Sequence, residues 1–267
     1  MSDRFPGFDQ LANPLLEALS LDLQTLSIQC SDSGPINLVE DQIHVWRVDL
    51  DNFPVNSLQA VLSADELLRA SRYRFECDHD RFIAARSVLR ILISTYLPME
   101  PQRLIFGYGE YGKPHLNLPA PWPTVRFSVA HSDRLALYAI SKDRELGVDV
   151  EFIRDDFANE AVAERFFSPN EIAQLRSVPV TMRTTAFFNC WTRKESFIKA
   201  RGEGLSIPLN IFDVSLVPDK PAALLSYQPD STEVSRWSMQ EIPVESGFAA
   251  ALTSEGNNCE LRMFDLK

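Results

Sequence analysis

Trp191-Thr192-Arg193-Lys194-Glu195-Ser196-Phe197-Ile198-Lys199 reads as helix, and upstream of it Gly147-Val148-Asp149-Val150-Glu151 reads as strand. In the strand, alternation sends Asp149 and Glu151 to one face and Val148, Val150 and Phe152 to the other. In the helix, Trp191, Glu195 and Lys199 follow one another at i,i+4 and share a stripe. Two strand carboxylates and one helix carboxylate are oxygen ligands suited to a hard cation, and a lysine beside them can meet a phosphate. That is the equipment for phosphoryl-group chemistry on a Mg²⁺-bound diphosphate. Each piece also has a plainer reading. Asp149 and Glu151 fit a solvated strand face, and Glu195 with Lys199 fits an ordinary helix ion pair worth ~0.2–0.5 kcal/mol. Nothing in the spacing proves that strand and helix meet.

The chain has 267 residues, which suits one large or two modest domains. Its 45% hydrophobic and 10% aromatic content is enough for a sizeable core. A net charge of −11 argues against a nucleic-acid or anionic-membrane partner, both of which select a basic surface. It leaves room for a local basic pocket and an anionic small ligand. Cys30, Cys77, Cys190 and Cys259 are far apart with no C-x-x-C pair, so neither zinc nor a disulfide framework is expected. No basic start followed by an apolar run marks a secretory signal, and no apolar stretch approaches the about 20 residues of a membrane span. The expectation is a soluble cytoplasmic protein.

Leu15–Leu26 suggests a short helix, and Ser31-Asp32-Ser33-Gly34-Pro35 a loop, in an N-terminal extension over residues 1–40. Ile43–Val48 reads as the first strand. Ser63-Ala64-Asp65-Glu66 is a capping box that should open a helix. A second helix is expected over Asp80–Tyr96, with Phe82, Ala85, Val88, Leu89, Ile91 and Leu92 as its apolar stripe. Arg81, Arg86 and Arg90 punctuate it, and spacing alone does not separate a solvated face from a working one. Strands are expected at Thr124–Val129, Leu135–Ser141 and Leu146–Phe152. Ser168-Pro169-Asn170-Glu171 opens another helix, and Gly202 or Gly204 should end the long helix of the opening motif. Period-two segments follow at 212–217, 222–227, 236–242, 247–253 and 260–264, suggesting one antiparallel sheet. The fold class is therefore α+β, with a first half over 41–144 and a second over 145–267 divided at Ser141-Lys142-Asp143-Arg144.

Three other signals carry less. Gly107-Tyr108-Gly109-Glu110-Tyr111-Gly112 fits G-x-G-x-x-G, but prolines follow it and no helix opens there, so a dinucleotide fold is set aside. Gly112-Lys113-Pro114 fits a fixed turn, either structural or presenting Lys113 to a ligand. His131, expected just past a strand end, is structural or a phosphate donor. No G-x-S-x-G elbow and no P-loop is present.

In these residues the chain resembles the Sfp-type 4′-phosphopantetheinyl transferases. The matches run in order from about Ser63 to Ala250: Glu110-Tyr111-Gly112-Lys113-Pro114, Phe127–Ser132, Gly147–Glu151, Arg165-Phe166-Phe167-Ser168 with Glu171, and Trp191–Lys199. The pair G-[IV]-D-[IV]-E and W-[ST]-x-K-E-[SA]-x-x-K is highly specific to that family. The resemblance implies two similar α+β halves related by a pseudo-twofold axis, with coenzyme A in the cleft between them. It implies transfer of the phosphopantetheine arm of CoA to a serine of an apo acyl or peptidyl carrier protein, with release of 3′,5′-ADP. By the same resemblance Asp149, Glu151 and Glu195 ligate Mg²⁺, with Mn²⁺ an alternative. Glu195 is also the base, Lys199 acts on the leaving phosphate, and Lys194 lies along the phosphate or pantetheine path. Lys113, Pro114, His131, Arg69 and Arg81 serve the nucleotide end.

Two positions depart from the pattern: Ala130 where the family often has serine, and Glu66 where some relatives are basic, which places more weight on Arg69 and Arg81. The broad-range, monomeric branch is expected. Two other classes compete: a silent CoA- or carrier-binding protein, which has no need of Asp149, Glu151, Glu195 and Lys199 together, and a metal-dependent phosphohydrolase, which consumes CoA without a carrier.

Overall fold

A computed structural model describes residues 28–29, 37–118 and 124–266. The helix expected at Leu15–Leu26, the loop at Ser31–Pro35 and Pro119, Pro121 and Pro123 lie outside them. The chain runs β1 (Ile28–Gln29), β2 (Gln42–Asp49), α1 (Val55–Leu58), α2 (Ala64–Ala70), α3 (Glu76–Tyr96), β3 (Phe106–Tyr108), β4 (Pro114–Leu116), β5 (Val125–Ser132), β6 (Leu135–Lys142) and β7 (Leu146–Phe152). It continues through α4 (Glu160–Phe166), α5 (Pro169–Ser177), α6 (Val180–Arg201), β8 (Phe212–Val214), β9 (Leu224–Tyr227), α7 (Glu233–Arg236), β10 (Trp237–Glu241), β11 (Phe248–Glu255) and β12 (Glu260–Leu266). Among the described residues no helix is long and apolar enough to cross a membrane.

The fold is α+β, divided into two compact units. One holds residues 48–105 and 264–266, the other 38–47 and 106–263. The border drawn from the sequence at Ser141–Arg144 falls within the second unit, at the end of β6 and the start of the turn to β7. Ala130 of β5, Leu137 of β6 and Val148 and Val150 of β7 share one apolar core, which holds the three strands together.

In the first unit α3 begins at Glu76, a turn earlier than expected, and buries Ile83, Val88, Leu89, Leu92 and Ile93. Its arginines are not a solvated face. Arg90, 2% exposed, pairs with Glu66 at 2.7 Å and donates to the carbonyls of Pro101 and Leu104. Arg86 pairs with the same carboxylate, and Arg81 holds Asp51 with two bonds, at 2.8 and 2.9 Å. Glu66 also closes the Ser63 capping box by accepting the Ser63 amide. Burial acts to raise its carboxyl, but Arg90, the Ser63 amide and Arg86 prevail and hold it below the usual glutamate value. At the position where some relatives are basic, Glu66 is thus a buried structural anion.

In the second unit β12 up to Met263, β2 up to Arg47, β6 and β5 are successive neighbours in one sheet, and β10, β11 and β7 form another. The segments after residue 211 therefore do not form a single sheet. β8 and β9 pair as an isolated hairpin, while β12 joins the first of those sheets. β11 is buried on both faces and is the central strand of its sheet, pairing antiparallel with β10 on one edge and β7 on the other. β5 continues through Ser132, which puts His131 inside the strand, opposite Ala136, rather than past its end.

The long helix α6 ends where Gly202 takes the left-handed conformation, φ 73°, and its amide caps the Ile198 carbonyl. Gly202→Ala is expected to cost about 1–2 kcal/mol, the usual penalty for a side chain in that conformation. The added Cβ also meets Lys113 Cδ at 3.1 Å. A lower urea midpoint with unchanged far-ultraviolet dichroism is the expected readout.

Candidate active site

The strand β7 and the helix α6 meet face to face, and the contact is made by small residues. Gly147, Asp149 and Glu151 share the face of β7 that looks toward α6, and their partners across the β7–β11 ladder are Thr253, Ala251 and Ala249. A Cβ on Gly147 would lie closer than 3.0 Å to Ser196 O, Ala200 N and Lys199 C, all backbone atoms of α6. Ser196 Oγ lies 2.8 Å from Thr253 Oγ1, tying the same helical turn to β11. The opposite face of β7, with Val148 and Val150, enters the apolar core. The carboxylate face is thus covered by a helix. Asp149 is 4% exposed and is not part of a solvated strand face.

Over its second half α6 is buried almost all the way round: Thr192, Arg193, Lys194, Ser196, Phe197, Ile198 and Ala200 are all buried. The residues left partly open between them are Trp191, Glu195 and Lys199. The i,i+4 stripe of the sequence is therefore the open stripe of the helix. Its Trp191 end is propped edge-on by Phe157 and Phe166, each with ring centroids 5.4 Å away.

Lys199 does not form the simple helix pair with Glu195. Its ammonium reaches Asp149 Oδ1 at 2.6 Å. Burial acts to lower the Lys199 ammonium, but Asp149, aided by Glu195 and Glu151, holds it above the usual lysine value. Burial pushes the Asp149 carboxyl up to about 7, against the pull of Lys199, and Glu151 and Glu195 add to the rise. Glu195 is raised by burial too, with Lys199 opposing and Glu151 contributing. Three carboxylates thus crowd one ammonium, and Asp149 Oδ2 is buried with no hydrogen-bond partner. An orphaned oxygen in an excess of hard anionic donors fits a divalent cation. Among the described residues no three His, Cys, Asp or Glu side chains stand close enough to enclose a metal by themselves.

Ser132 was not singled out in the sequence, yet it belongs here. Its hydroxyl lies 2.9 Å from Glu151 Oε2 and accepts the Phe152 amide at 3.0 Å. Ser128 accepts the Val148 amide in the same way, at 3.1 Å. The signal was present as two serines spaced to share a strand face, but their partners lie on another strand.

Lys194 is elsewhere. It is 0% exposed, its ammonium pairs with Glu171 at 2.8 Å, and it donates to the carbonyls of Leu209 and Phe212. All three of its donors are used, so it has none left for a phosphate path. Glu171, which closes the Ser168 capping box, also accepts the Val214 amide, and burial raises its carboxyl against the pull of Lys194. Lys113 sits in the β3–β4 turn that Gly112 makes with φ 84°. Its ammonium donates to Glu145 Oε2 at 2.8 Å and to the carbonyls of Ala200 and Leu146. The turn therefore anchors the end of α6 as well as lining a pocket of about 230 Å³ with Pro114, His115, Arg126 and Arg201. His131 is exposed beside Ser132. Arg69 and Arg81 belong to the first unit, where the Arg69 guanidinium lies over the Phe82 ring, 5.4 Å from its centroid.

Residues 145–253, which carry Asp149, Glu151, Glu195 and Lys199, match the model of the 4′-phosphopantetheinyl transferase superfamily, and residues 46–143 match that of the 4′-phosphopantetheinyl transferase N-terminal region. The chain belongs to the 4′-phosphopantetheinyl transferase superfamily. The transferase is 36% identical to the 4′-phosphopantetheinyl transferase HetI of Nostoc sp. over 83% of this chain and 91% of that protein. It is 33% identical to a 4′-phosphopantetheinyl transferase of Bacillus subtilis over 61% of this chain and 70% of that protein. It is 30% identical to the 4′-phosphopantetheinyl transferase Sfp of Bacillus subtilis (strain 168), over 59% and 68%. It is an enzyme of this class, a 4′-phosphopantetheinyl transferase.

Proposed function

We propose that the transferase moves the phosphopantetheine arm of coenzyme A to a serine of an apo acyl or peptidyl carrier protein, in a Mg²⁺-dependent reaction that releases 3′,5′-ADP. One observation carries the reading: the open stripe of α6, with Glu195 and Lys199, stands over the carboxylate face of β7. Asp149, Glu151 and Glu195 hold the cation together with the CoA diphosphate. Bound there, the metal offsets negative charge on the transferred phosphoryl group.

Glu195 takes the proton of the carrier serine, directly or through a water. The serine oxygen bonds to the phosphorus bearing the pantetheine arm while the bond from that phosphorus to the bridging oxygen of the diphosphate breaks. Lys199 donates to that leaving oxygen, which carries its electron pair away in 3′,5′-ADP. The pocket lined by Lys113, Pro114, Arg126 and Arg201 and the exposed His131 are proposed for the nucleotide end of CoA, with Lys113, whose three ammonium donors are committed to Glu145, Leu146 and Ala200, shaping the pocket rather than donating to the ligand.

Intact-mass spectrometry of an apo carrier protein incubated with the transferase, CoA and Mg²⁺ tests this. The expected result is a gain of one phosphopantetheine, abolished by chelating the metal. No gain across several carriers with CoA still bound would make this a silent binding protein. Consumption of CoA without a modified carrier would make it a phosphohydrolase.

A further inference from the structure

We propose that Ser132 is a positioning residue that fixes the Glu151 carboxylate for metal binding. The direction of its hydrogen bonds supplies the argument. The Phe152 amide can only donate, so the Ser132 oxygen accepts from it at 3.0 Å. The one hydroxyl hydrogen then remains for Glu151 Oε2, 2.9 Å away. Ser128 takes the Val148 amide with the same kind of acceptor bond, so stitching β5 to β7 needs only that half of the arrangement. At Ser132 the other half reaches a carboxylate. It occupies one oxygen of Glu151, limits the side chain's rotamers and leaves the second oxygen for a ligand.

Ligating carboxylates are commonly held by such outer partners, whose loss costs roughly 10- to 100-fold in metal affinity. The inference rests on the reading of Glu151 as a metal ligand, and the test separates the two. Mn²⁺ is titrated into the transferase with CoA, free Mn²⁺ is read by electron paramagnetic resonance, and wild type is compared with Ser132→Ala, Ser132→Thr and Glu151→Gln. Ser132→Ala is expected to bind Mn²⁺ about 10-fold more weakly. Ser132→Thr, which keeps the hydroxyl, is expected to stay close to wild type. In the transfer assay the half-saturating Mg²⁺ concentration of Ser132→Ala rises by a similar factor, while kcat recovers at saturating Mg²⁺.

Unchanged Mn²⁺ affinity in Ser132→Ala, with a lowered melting temperature alone, would show a merely structural serine and overturn the proposal. Equal loss in Ser132→Thr would also overturn it. Wild-type Mn²⁺ affinity in Glu151→Gln would remove the metal assignment and the positioning role together. Loss in Glu151→Gln without loss in Ser132→Ala would remove only the positioning role. Should alanine fail to fold, Ser132→Cys, which keeps the volume with a far weaker donor, carries the same expectation.

Discussion

Glu195→Gln lowers kcat/KM for carrier modification by about a thousandfold or more, and CoA still binds within a few-fold of wild type. A positioned general base contributes roughly 10²–10⁴ in rate, and an amide can neither accept the serine proton nor supply an anionic metal ligand. The fold is expected to survive. Glu195 lies on the open stripe of α6, so an isosteric change there opens no cavity. The charge argument has the same sign. Burial and Glu151 raise its carboxyl despite Lys199, so the ionised form is the one the folded state disfavours. A neutral amide removes that cost, and stability should hold or rise at neutral pH. Single-turnover transfer, CoA titration calorimetry and thermal melting measure the three quantities. Near-normal turnover in the variant would remove Glu195 from the chemistry.

Gly147→Val produces the largest loss of stability, about 3 kcal/mol or more, and abolishes transfer even in the fraction that folds. The added Cβ would meet Ser196 O, Ala200 N and Lys199 C at less than 3.0 Å. These are backbone atoms in the middle of a helical turn and cannot rotate aside. Either α6 lifts from β7 or the strand bends. Overpacking of this kind usually costs about 1–3 kcal/mol, with larger losses where the structure cannot yield. Lifting α6 also parts Lys199 from Asp149 and carries Glu195 away from Glu151. A urea titration measures the first effect and single-turnover transfer the second. A Gly147→Val protein as stable as wild type would refute the close approach.

The local elements were legible because local rules make them. Ser63 with Glu66 and Ser168 with Glu171 are capping boxes in the chain as written, and both open helices where expected. The alternation of Leu146–Phe152 was enough for β7, whose bounds agree with the sequence reading. The i,i+4 order of Trp191, Glu195 and Lys199 was enough for one stripe.

Partners were not legible. Lys194 and Lys199 lie in the same helix with equal charge, and nothing local separates the buried anchor from the site residue. Lys194 is decided by Glu171, Leu209 and Phe212, and Lys199 by Asp149. Arg86 and Arg90 similarly depend on Glu66. A buried charge is tolerated only where distant groups satisfy it. The sequence by itself determined the helix, the strand and the side each residue takes on them, because periodicity is a property of a few neighbouring residues. Only the tertiary structure decided that Gly147 admits α6, that Ser132 holds Glu151, and that Asp149, Glu151, Glu195 and Lys199 share one site. Those contacts join segments far apart in the chain, and packing and charge balance between them select the arrangement.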